Sequence, residues 1–323
     1  MAHSIISWFK KKYAAKGIIL MYHRIAKVSS DPWDLSVSPE NFEAQLMVLK
    51  HYNVISLDAL TDILTKRKQM SPNTVVVTFD DGYRDNFTAA QPLLQQYHIP
   101  ATFFIPSNTI GNNKEFWWDA LERICLQSHD LPEKLVLHHP HPNTWNIGRH
   151  SSNAVLNPTD LYFRLCDIVM KMPSVEQQTF IKMLEIWANN TDERPEYFTM
   201  DKKELLALQA DSLFTIGSHT MTHPFLPNFQ YDYQKNEIQG GIQFLRELTG
   251  NRINYLAYPH GGRDTDTMKI MNESDIELAF TTDRQAFHAD TNKLALPRFQ
   301  VGNWDGQRFA SHLDSWIRNK YPS

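Results

Sequence analysis

Short, continuously apolar runs recur along this chain, and they constrain its fold more than any other feature. The first three are Gly17 to Tyr22 (GIILMY), Thr74 to Phe79 (TVVVTF) and Ala101 to Ile105 (ATFFI). Strands without alternation between apolar and polar residues are typically buried on both faces, as in parallel sheets covered by helices. Shorter strand candidates follow at 214–217, 255–258, 278–282 and 294–301.

Helical patterns separate these runs. They are predicted at 39–51, 57–66, 85–96, 233–249 and 264–273. Ser38 followed by Pro39 and Glu40 is a typical helix start. The alternation of strand and helix predicts an α/β fold, either an open sheet or a closed barrel.

One region, from about residue 111 to 209, breaks this alternation. It contains no convincing strand. Its helical patterns lie at 116–127, 159–172, 175–189 and 202–209, and a polar loop separates the first two. We interpret it as a mostly helical insertion into an α/β domain that spans residues 17–323.

The composition is that of a globular protein, and it argues against a nucleic-acid partner, a structural metal and a cysteine-based zinc or redox site. Apolar residues make up 42% and charged residues 21% of the 323 positions, which is typical of a globular protein. A chain of this length can fold without a metal, so a metal site would be functional. The net charge of −4 argues against nucleic acid as a partner. Cys125 and Cys166 match no zinc or redox spacing and are expected to be buried thiols.

The first 16 residues form a basic amphipathic segment. Ile5, Trp8 and Phe9 fall on one face of a predicted helix that is surrounded by lysines. This helix either packs on the domain or lies on a membrane surface. We recognise no signal peptide and no apolar run of roughly 20 residues. The expected location is therefore the cytoplasm, with contact to the inner membrane face through this segment.

Two adjacent carboxylates, Asp80 and Asp81, follow the run TVVVTF directly. Active sites of α/β folds lie at the carboxyl ends of the strands, and a turn at Gly82 would let both side chains reach one cavity. One carboxylate could bind a cation while the other acts as a base. Equally, the pair could simply end a strand and cap the helix predicted from Asp85.

A second motif follows the strand candidate at 214–217. It places His219 and His223 four residues apart, a spacing that puts two imidazoles on one face of a helical turn and suits a shared metal. With 14 histidines in the chain, this spacing can also arise by chance. Asp81 together with the two histidines would form a set typical of a catalytic metal with open coordination positions.

Three further candidate residues lie directly after or within strand candidates. His260 lies in a Pro-His-Gly-Gly turn that could present backbone N–H groups to a developing oxyanion. His23 ends the first strand, where a histidine is more often structural than catalytic. Arg298 could hold a carboxylate or face solvent.

The order TFDDGY, SHTMTH and AYPHGGR resembles the polysaccharide deacetylase superfamily, carbohydrate esterase family four. The start ILMYHRI is similar to its branch acting on exopolysaccharide N-acetylglucosamine. The resemblance covers roughly 17–110 and 210–305. It implies a deformed (β/α) barrel, usually of seven strands, and metal-dependent N-deacetylation of amino sugars. It also implies that Asp80 is the base, that Asp81, His219 and His223 are metal ligands, and that His260 supplies an oxyanion N–H.

Two departures from the family pattern affect the remaining roles. Ala257 stands where the family has an arginine that orients the base, and Arg298 is the candidate substitute. The family's Leu-x-His motif, which supplies the acid, has no match near the C-terminus, where His288 and His312 do not fit it. His23 is then the best candidate for the general acid.

The resulting expectation is a hydrolase with one divalent ion, Zn²⁺ first and Co²⁺, Ni²⁺ or Fe²⁺ as other choices. It would release acetate from an N-acetylated sugar or glycan precursor. Two alternatives stay open: a related hydrolase of another small amide, such as an N-formyl sugar or a cyclic imide, and a non-catalytic carbohydrate-binding barrel.

Overall fold

The computed structural model describes residues 16–66, 68–128, 130–138, 142–148 and 155–318. The chain divides into two compact units. The first unit contains the chain up to and including Val28, Trp33–Ile110, and the chain from Met200 onward. The second unit contains Ser29–Pro32 and Gly111–Thr199. The predicted basic segment at 1–16 lies almost wholly outside the described residues, so it stays a prediction. Among the described residues, none of the helices has the length and apolar character needed to cross a membrane.

The first unit is built on a parallel sheet. Its strands are β1 (Gly17–Tyr22), β4 (Asn53–Val54), β5 (Thr74–Phe79), β6 (Ala101–Ile105), β10 (Phe214–Ser218), β11 (Tyr255–Ala257), β12 (Leu278–Phe280) and β13 (Phe299–Gln300). Seven of them run in the order β12, β11, β10, β6, β5, β1, β13, with β4 beside β5. A parallel bridge joins Phe280 of β12 to Leu296, which lies three residues before β13. The predicted deformed barrel of seven parallel strands is confirmed.

Helices of the first unit alternate with these strands. They are α1 (Pro39–Leu49), α2 (Leu57–Thr65), α3 (Gln91–Tyr97), α7 (Lys202–Gln209), α8 (Tyr231–Thr249), α9 (Thr265–Asn272) and α10 (Gly306–Ile317). A small pair of strands, β2 (Arg24–Ile25) and β3 (Ser36–Val37), completes the unit. As predicted, Ser38 caps α1 through its side chain and Pro39 occupies the first turn.

Both faces of the sheet are buried, which explains the continuous apolar runs. Ile18 and Leu20 belong to one core cluster, whereas Ile19 between them belongs to the other. The predicted strand at 294–301 is reduced to β13. Pro297 lies in the lost part and has no N–H to donate to a ladder.

The second unit contains α4 (Trp117–Leu126), α5 (Pro158–Val169) and α6 (Ser174–Ala188). It also contains three short strands where the sequence predicts none, namely β7 (Lys134–Leu137), β8 (Asn143–Ile147) and β9 (Val155–Leu156). The prediction missed them because β8 is a polar stretch that becomes a strand only by pairing with β7.

The boundary of the insertion also differs from the prediction. The second unit ends at Thr199 rather than at about 209, and α7 belongs to the first unit. The physical reason is that Leu205 and Leu208 of α7 are buried in the core of the first unit.

Candidate active site

The predicted site residues converge because their strands are parallel and end at one edge of the sheet. Asp80 and Asp81 follow β5, His219 follows β10, and β6 lies between these two strands. The Asp80 N–H donates to Tyr22 at the end of β1, and the His219 N–H donates to Ile105 at the end of β6. Backbone hydrogen bonds thus connect the ends of the strands on which the site residues lie.

A sharp turn allows the two neighbouring carboxylates to share one cavity. Asp81 has φ 70° and Gly82 has φ 67°, so both adopt the left-handed conformation directly after the strand. The side chains of Asp80 and Asp81 are both buried. The alternative in which the Asp80–Asp81 pair caps the next helix does not hold, because Asp85 occupies the cap position of that helix and its side chain makes no cap bond.

Asp81, His219 and His223 form a buried set that fits a metal ion. The Asp81 Oδ1 atom lies 3.5 Å from His219 Nε2 and 3.3 Å from His223 Nε2. It is buried, yet it accepts no hydrogen bond from the described residues. Two ligands of a tetrahedral ion with bonds of about 2.0 Å are about 3.3 Å apart. The set therefore has the donor chemistry and the spacing that a divalent ion requires.

The orientation of His219 is fixed from behind. Its Nδ1 atom lies 2.7 Å from the carbonyl oxygen of Ala257. A carbonyl can only accept, so Nδ1 donates its proton to Ala257, and Nε2 is the ring nitrogen that faces Asp81. This is the usual way in which a histidine ligand is held by its second nitrogen.

The helical turn predicted for His219 and His223 is wrong. The segment between them is a loop, in which Thr220 has φ 66° and His223 has φ 61°. The imidazoles still meet, with ring centroids 4.7 Å apart. Spacing alone cannot distinguish a helical turn from a loop that reverses direction at two left-handed residues.

Arg298 and Asp80 form a bidentate ion pair. Nη1 and Nη2 of the guanidinium donate to the two carboxylate oxygens at 2.7 and 2.6 Å. Its Nε donates to the Thr281 carbonyl, and Nη1 also reaches the Thr78 hydroxyl. Arg298 is 0% exposed, so this orientation is strongly constrained.

The charges around Asp80 and the histidines set their protonation. Burial by itself raises the pKa of Asp80, but Arg298 and His219 outweigh it and leave the pKa below its ordinary value. Burial likewise lowers the pKa of His219, but the charge of Asp80 and the adjacent Asp81 bring it above the ordinary value. For His223, burial and the neighbouring imidazoles together hold the pKa well below its ordinary value.

His260 and His23 lie beside this set. The His260 ring centroid is 4.7 Å from that of His223, and burial lowers the pKa of His260 to about 4. The backbone of His260 is left-handed, with φ 54°. His23 is half-buried, and its buried Nδ1 atom neither donates nor accepts a hydrogen bond among the described residues.

The backbone around His23 is held by residues that the sequence analysis did not single out. Asn86 donates to the His23 carbonyl at 2.7 Å. Asp85 accepts from the Arg24 guanidinium and from the Ile25 N–H. Their position directly after the Asp-Asp-Gly turn was the only signal that could have identified them. By contrast, His312 of α10 stacks on Trp304, which precedes that helix, with ring centroids 3.9 Å apart.

Comparisons with known proteins agree with this geometry. A family model described as polysaccharide deacetylase matches residues 67–157 and 171–279. YxkH of Bacillus subtilis, whose name places it among the polysaccharide deacetylases, is 33% identical over 312 residues, which cover 96% of this chain and 80% of that protein. The poly-β-1,6-N-acetyl-D-glucosamine N-deacetylase of Staphylococcus epidermidis is 22% identical over 320 residues, covering 92% of this chain and 86% of that protein.

Solved structures show the same fold. The Streptococcus pyogenes deacetylase PplD, determined in complex with acetate, has a TM-score of 0.61 at 17% identity, covering 94% of this chain and 99% of PplD. IcaB from Ammonifex degensii has a TM-score of 0.61 at 18% identity, covering 94% of this chain and 97% of IcaB. Together with the family match and the relative from Bacillus, these results establish that the chain belongs to the polysaccharide deacetylase family.

Proposed function

We propose that this protein is a metal-dependent N-deacetylase that hydrolyses the acetamido group of an N-acetylated sugar and releases acetate. One observation carries the proposal: a buried carboxylate held by Arg298 lies next to a separate carboxylate and two imidazoles that fit a metal. The first group is suited to proton transfer and the second to binding a cation. Amide hydrolysis requires both.

Asp81, His219 and His223 would hold the ion. Two imidazoles and one carboxylate suit Zn²⁺, and also Co²⁺, Ni²⁺ and Fe²⁺. When bound, such an ion supplies Lewis acidity, which makes water a better nucleophile and polarises a carbonyl. We propose Zn²⁺ as the ion because tetrahedral sites with one carboxylate and two histidines are typical of zinc hydrolases.

Asp80 is the proposed general base. A base must be ionised and correctly oriented, and Arg298 ensures both by pairing with the two carboxylate oxygens. Since the pKa of Asp80 is lowered, the carboxylate is available to remove a proton from water throughout the neutral range. General bases contribute about 10²–10⁴-fold to a rate.

His260 and His23 complete the proposed reaction. The N–H of His260, in its left-handed turn, would donate to the oxygen of the amide as negative charge develops there. His23 would give a proton to the departing sugar amine, which is a poor leaving group when unprotonated. Asn86 and Asp85 hold the backbone that presents His23.

The substrate class follows from the family and from the relative in Staphylococcus epidermidis, which is named for poly-β-1,6-N-acetyl-D-glucosamine. We propose N-acetylglucosamine units, in oligomers or in precursors, as the substrate. The site chemistry serves any small amide, so the substrate must be identified by measurement.

The test is a release screen on the zinc-loaded protein. The panel contains β-1,6-linked N-acetylglucosamine oligomers, free N-acetyl sugars, and nucleotide-linked and lipid-linked ones, with N-formyl sugars and cyclic imides as comparisons. Acetate release that is absent in Asp80→Asn supports the proposal. Formate release or imide opening without acetate release would reassign the substrate, and no turnover by a zinc-loaded protein would favour a non-catalytic binding barrel.

A further inference from the structure

The loop between the two histidine ligands is strained and needs an external support. Thr220 and His223 are both left-handed, a conformation that costs a residue other than glycine of order 1–3 kcal/mol. The loop also contains no repeated secondary structure that would hold it in place. Because His219 and His223 flank it, its conformation determines where the two imidazoles meet.

Glu237 on α8 supplies that support. Its Oε2 atom accepts from the Met221 N–H at 3.0 Å and from the Thr222 N–H at 2.8 Å. Its Oε1 atom accepts from the Thr222 hydroxyl at 2.7 Å. The side chain is 4% exposed, and hydrogen bonds to a buried ionised group are stronger than those between neutral groups.

The carbonyl groups of the loop accept hydrogen bonds from neutral backbone donors. The N–H groups of Ser107 and Asn108 donate to the carbonyls of Thr220 and Met221. Glu237 is therefore the charged group among those that hold the loop, and it accepts hydrogen bonds from two of the three backbone N–H groups between His219 and His223.

Two glycines bring α8 close enough for these bonds. A Cβ atom at Gly241 would lie 2.6 Å from the Thr220 carbonyl oxygen, and one at Gly240 would overlap the sulfur of Met221. Glycine inside a helix costs roughly 0.5–1 kcal/mol relative to alanine. The pair is thus explained by the close approach of the helix to the loop.

We propose that Glu237 is a positioning residue for the metal site, which fixes the loop so that His219 and His223 converge on Asp81. The inference rests on the metal part of the proposed function. It adds a residue to that site and gives α8, with its Glu-x-x-Gly-Gly sequence, a role in metal affinity. A carboxylate at this place holds the ligands without touching the ion.

The experiment compares Glu237→Gln with Glu247→Gln in the full chain. Glu247 is exposed on the same helix and accepts a hydrogen bond from Gln243 of that helix. Zn²⁺ affinity is measured by competition with a chromophoric chelator, and apo-protein stability by thermal unfolding. We expect Glu237→Gln to weaken Zn²⁺ binding about 10–100-fold and Glu247→Gln to leave it unchanged.

A second pair of variants tests the loop with Glu237 intact. Gly241→Ala would push directly on the backbone of Thr220, whereas Gly240→Ala meets only the flexible Met221 side chain. We expect Gly241→Ala to lower Zn²⁺ affinity more than Gly240→Ala. If Glu237→Gln does not fold, the comparison of Zn²⁺ affinity between Gly241→Ala and Gly240→Ala still tests whether the loop conformation controls metal binding.

Unchanged Zn²⁺ affinity in both Glu237→Gln and Gly241→Ala would overturn the inference, whatever happens to thermal stability. So would a wild-type protein that binds no Zn²⁺. A wild-type protein that binds Zn²⁺ but releases no acetate would contradict the proposed function and leave this inference standing, since metal affinity is measured without substrate.

Discussion

Two buried clusters of charged side chains, one in each unit, differ in how their charges are compensated. In the second unit, Glu115 accepts from Arg123 at 2.6 Å and from Arg194 at 2.5 Å. Arg194 also binds Glu122 and Arg123 also binds Glu185, at 2.6 and 2.7 Å. The three carboxylates of this cluster thus each contact a guanidinium.

The active-site cluster in the first unit is compensated only in part. Asp80 is paired with Arg298 in the same manner, but Asp81 Oδ1 accepts no hydrogen bond from the described residues and faces two imidazoles. Burying charge without a partner is costly, so it persists where a ligand completes it. The comparison teaches that complete pairing indicates a structural role, whereas incomplete pairing at a strand edge indicates a binding site.

The largest expected effect comes from removing a ligand of the incompletely paired set. His219→Ala should lose the metal and with it all measurable acetate release, because two ligands hold a divalent ion far more weakly than three. The fold should survive, since a chain of this size does not depend on a metal to fold. Metal analysis after dialysis and circular dichroism check this, and full metal occupancy in the variant would contradict the ligand assignment.

Asp80→Asn tests the one carboxylate that lies in the active site and is also paired with an arginine. An amide cannot accept the proton, so turnover should fall about 10²–10⁴-fold while Zn²⁺ stays bound. The variant also leaves the buried Arg298 without its anion, and stability should fall by up to about 3–5 kcal/mol. Turnover is therefore measured per folded, zinc-loaded molecule.

Asp81→Asn is the counterpart of Asp80→Asn. Metal affinity should fall in this variant before turnover of the metal-loaded protein does. Equal loss of metal in both variants would show that the roles of Asp80 and Asp81 are wrongly divided.

His23→Ala separates proton donation from structure at the edge of the site. We expect kcat to fall about 10²–10⁴-fold with metal affinity unchanged. His312→Ala is a suitable control, because that histidine of α10 stacks on Trp304 and is not among the residues of the site. A near-native kcat per folded molecule would remove His23 from the mechanism and direct attention to His260 and His288.

Glu115→Gln tests the completely paired cluster. Breaking a buried ion pair from one side should cost about 3–5 kcal/mol of unfolding free energy, while Zn²⁺ affinity and kcat per folded molecule stay unchanged. Glu176→Gln, an exposed change in the first turn of α6, should cost less than about 1 kcal/mol. Urea denaturation measures both. A loss of Zn²⁺ affinity in Glu115→Gln would break the distinction between the two clusters.

The smallest effect concerns pH. The raised pKa of His219 means that, below that pKa, the ion must displace a proton to bind, so apparent Zn²⁺ affinity should fall as pH decreases. His223, whose pKa is lowered, is already unprotonated in this range. One displaced proton predicts a loss that steepens below the pKa of His219 towards a limit of about tenfold per pH unit, measured by chelator competition between about pH 8 and pH 6. A flat affinity over this interval would contradict the proton assignment at His219.

Some of this protein could be predicted from local sequence because the signals lie within a few residues of one another. The continuous apolar runs identified β1, β5 and β6, and the polar residues that follow β5 and β10 identified Asp81, His219 and His223. Helix starts such as Ser38-Pro39 were also readable, since a cap bonds within its own turn. The strands at 134–156 were missed because their polar members depend on a partner strand.

Sequence by itself determined the parallel α/β architecture, the strand ends that carry chemistry and the family to which the chain belongs. Only the tertiary structure decided which distant groups meet there. Arg298 is 218 positions from Asp80, and no local pattern distinguishes it from a solvated arginine. Glu237 bonds a loop 16 positions away, and that loop is not the predicted helical turn. Such contacts depend on how strands and helices pack, and packing is a property of the whole chain rather than of any short segment.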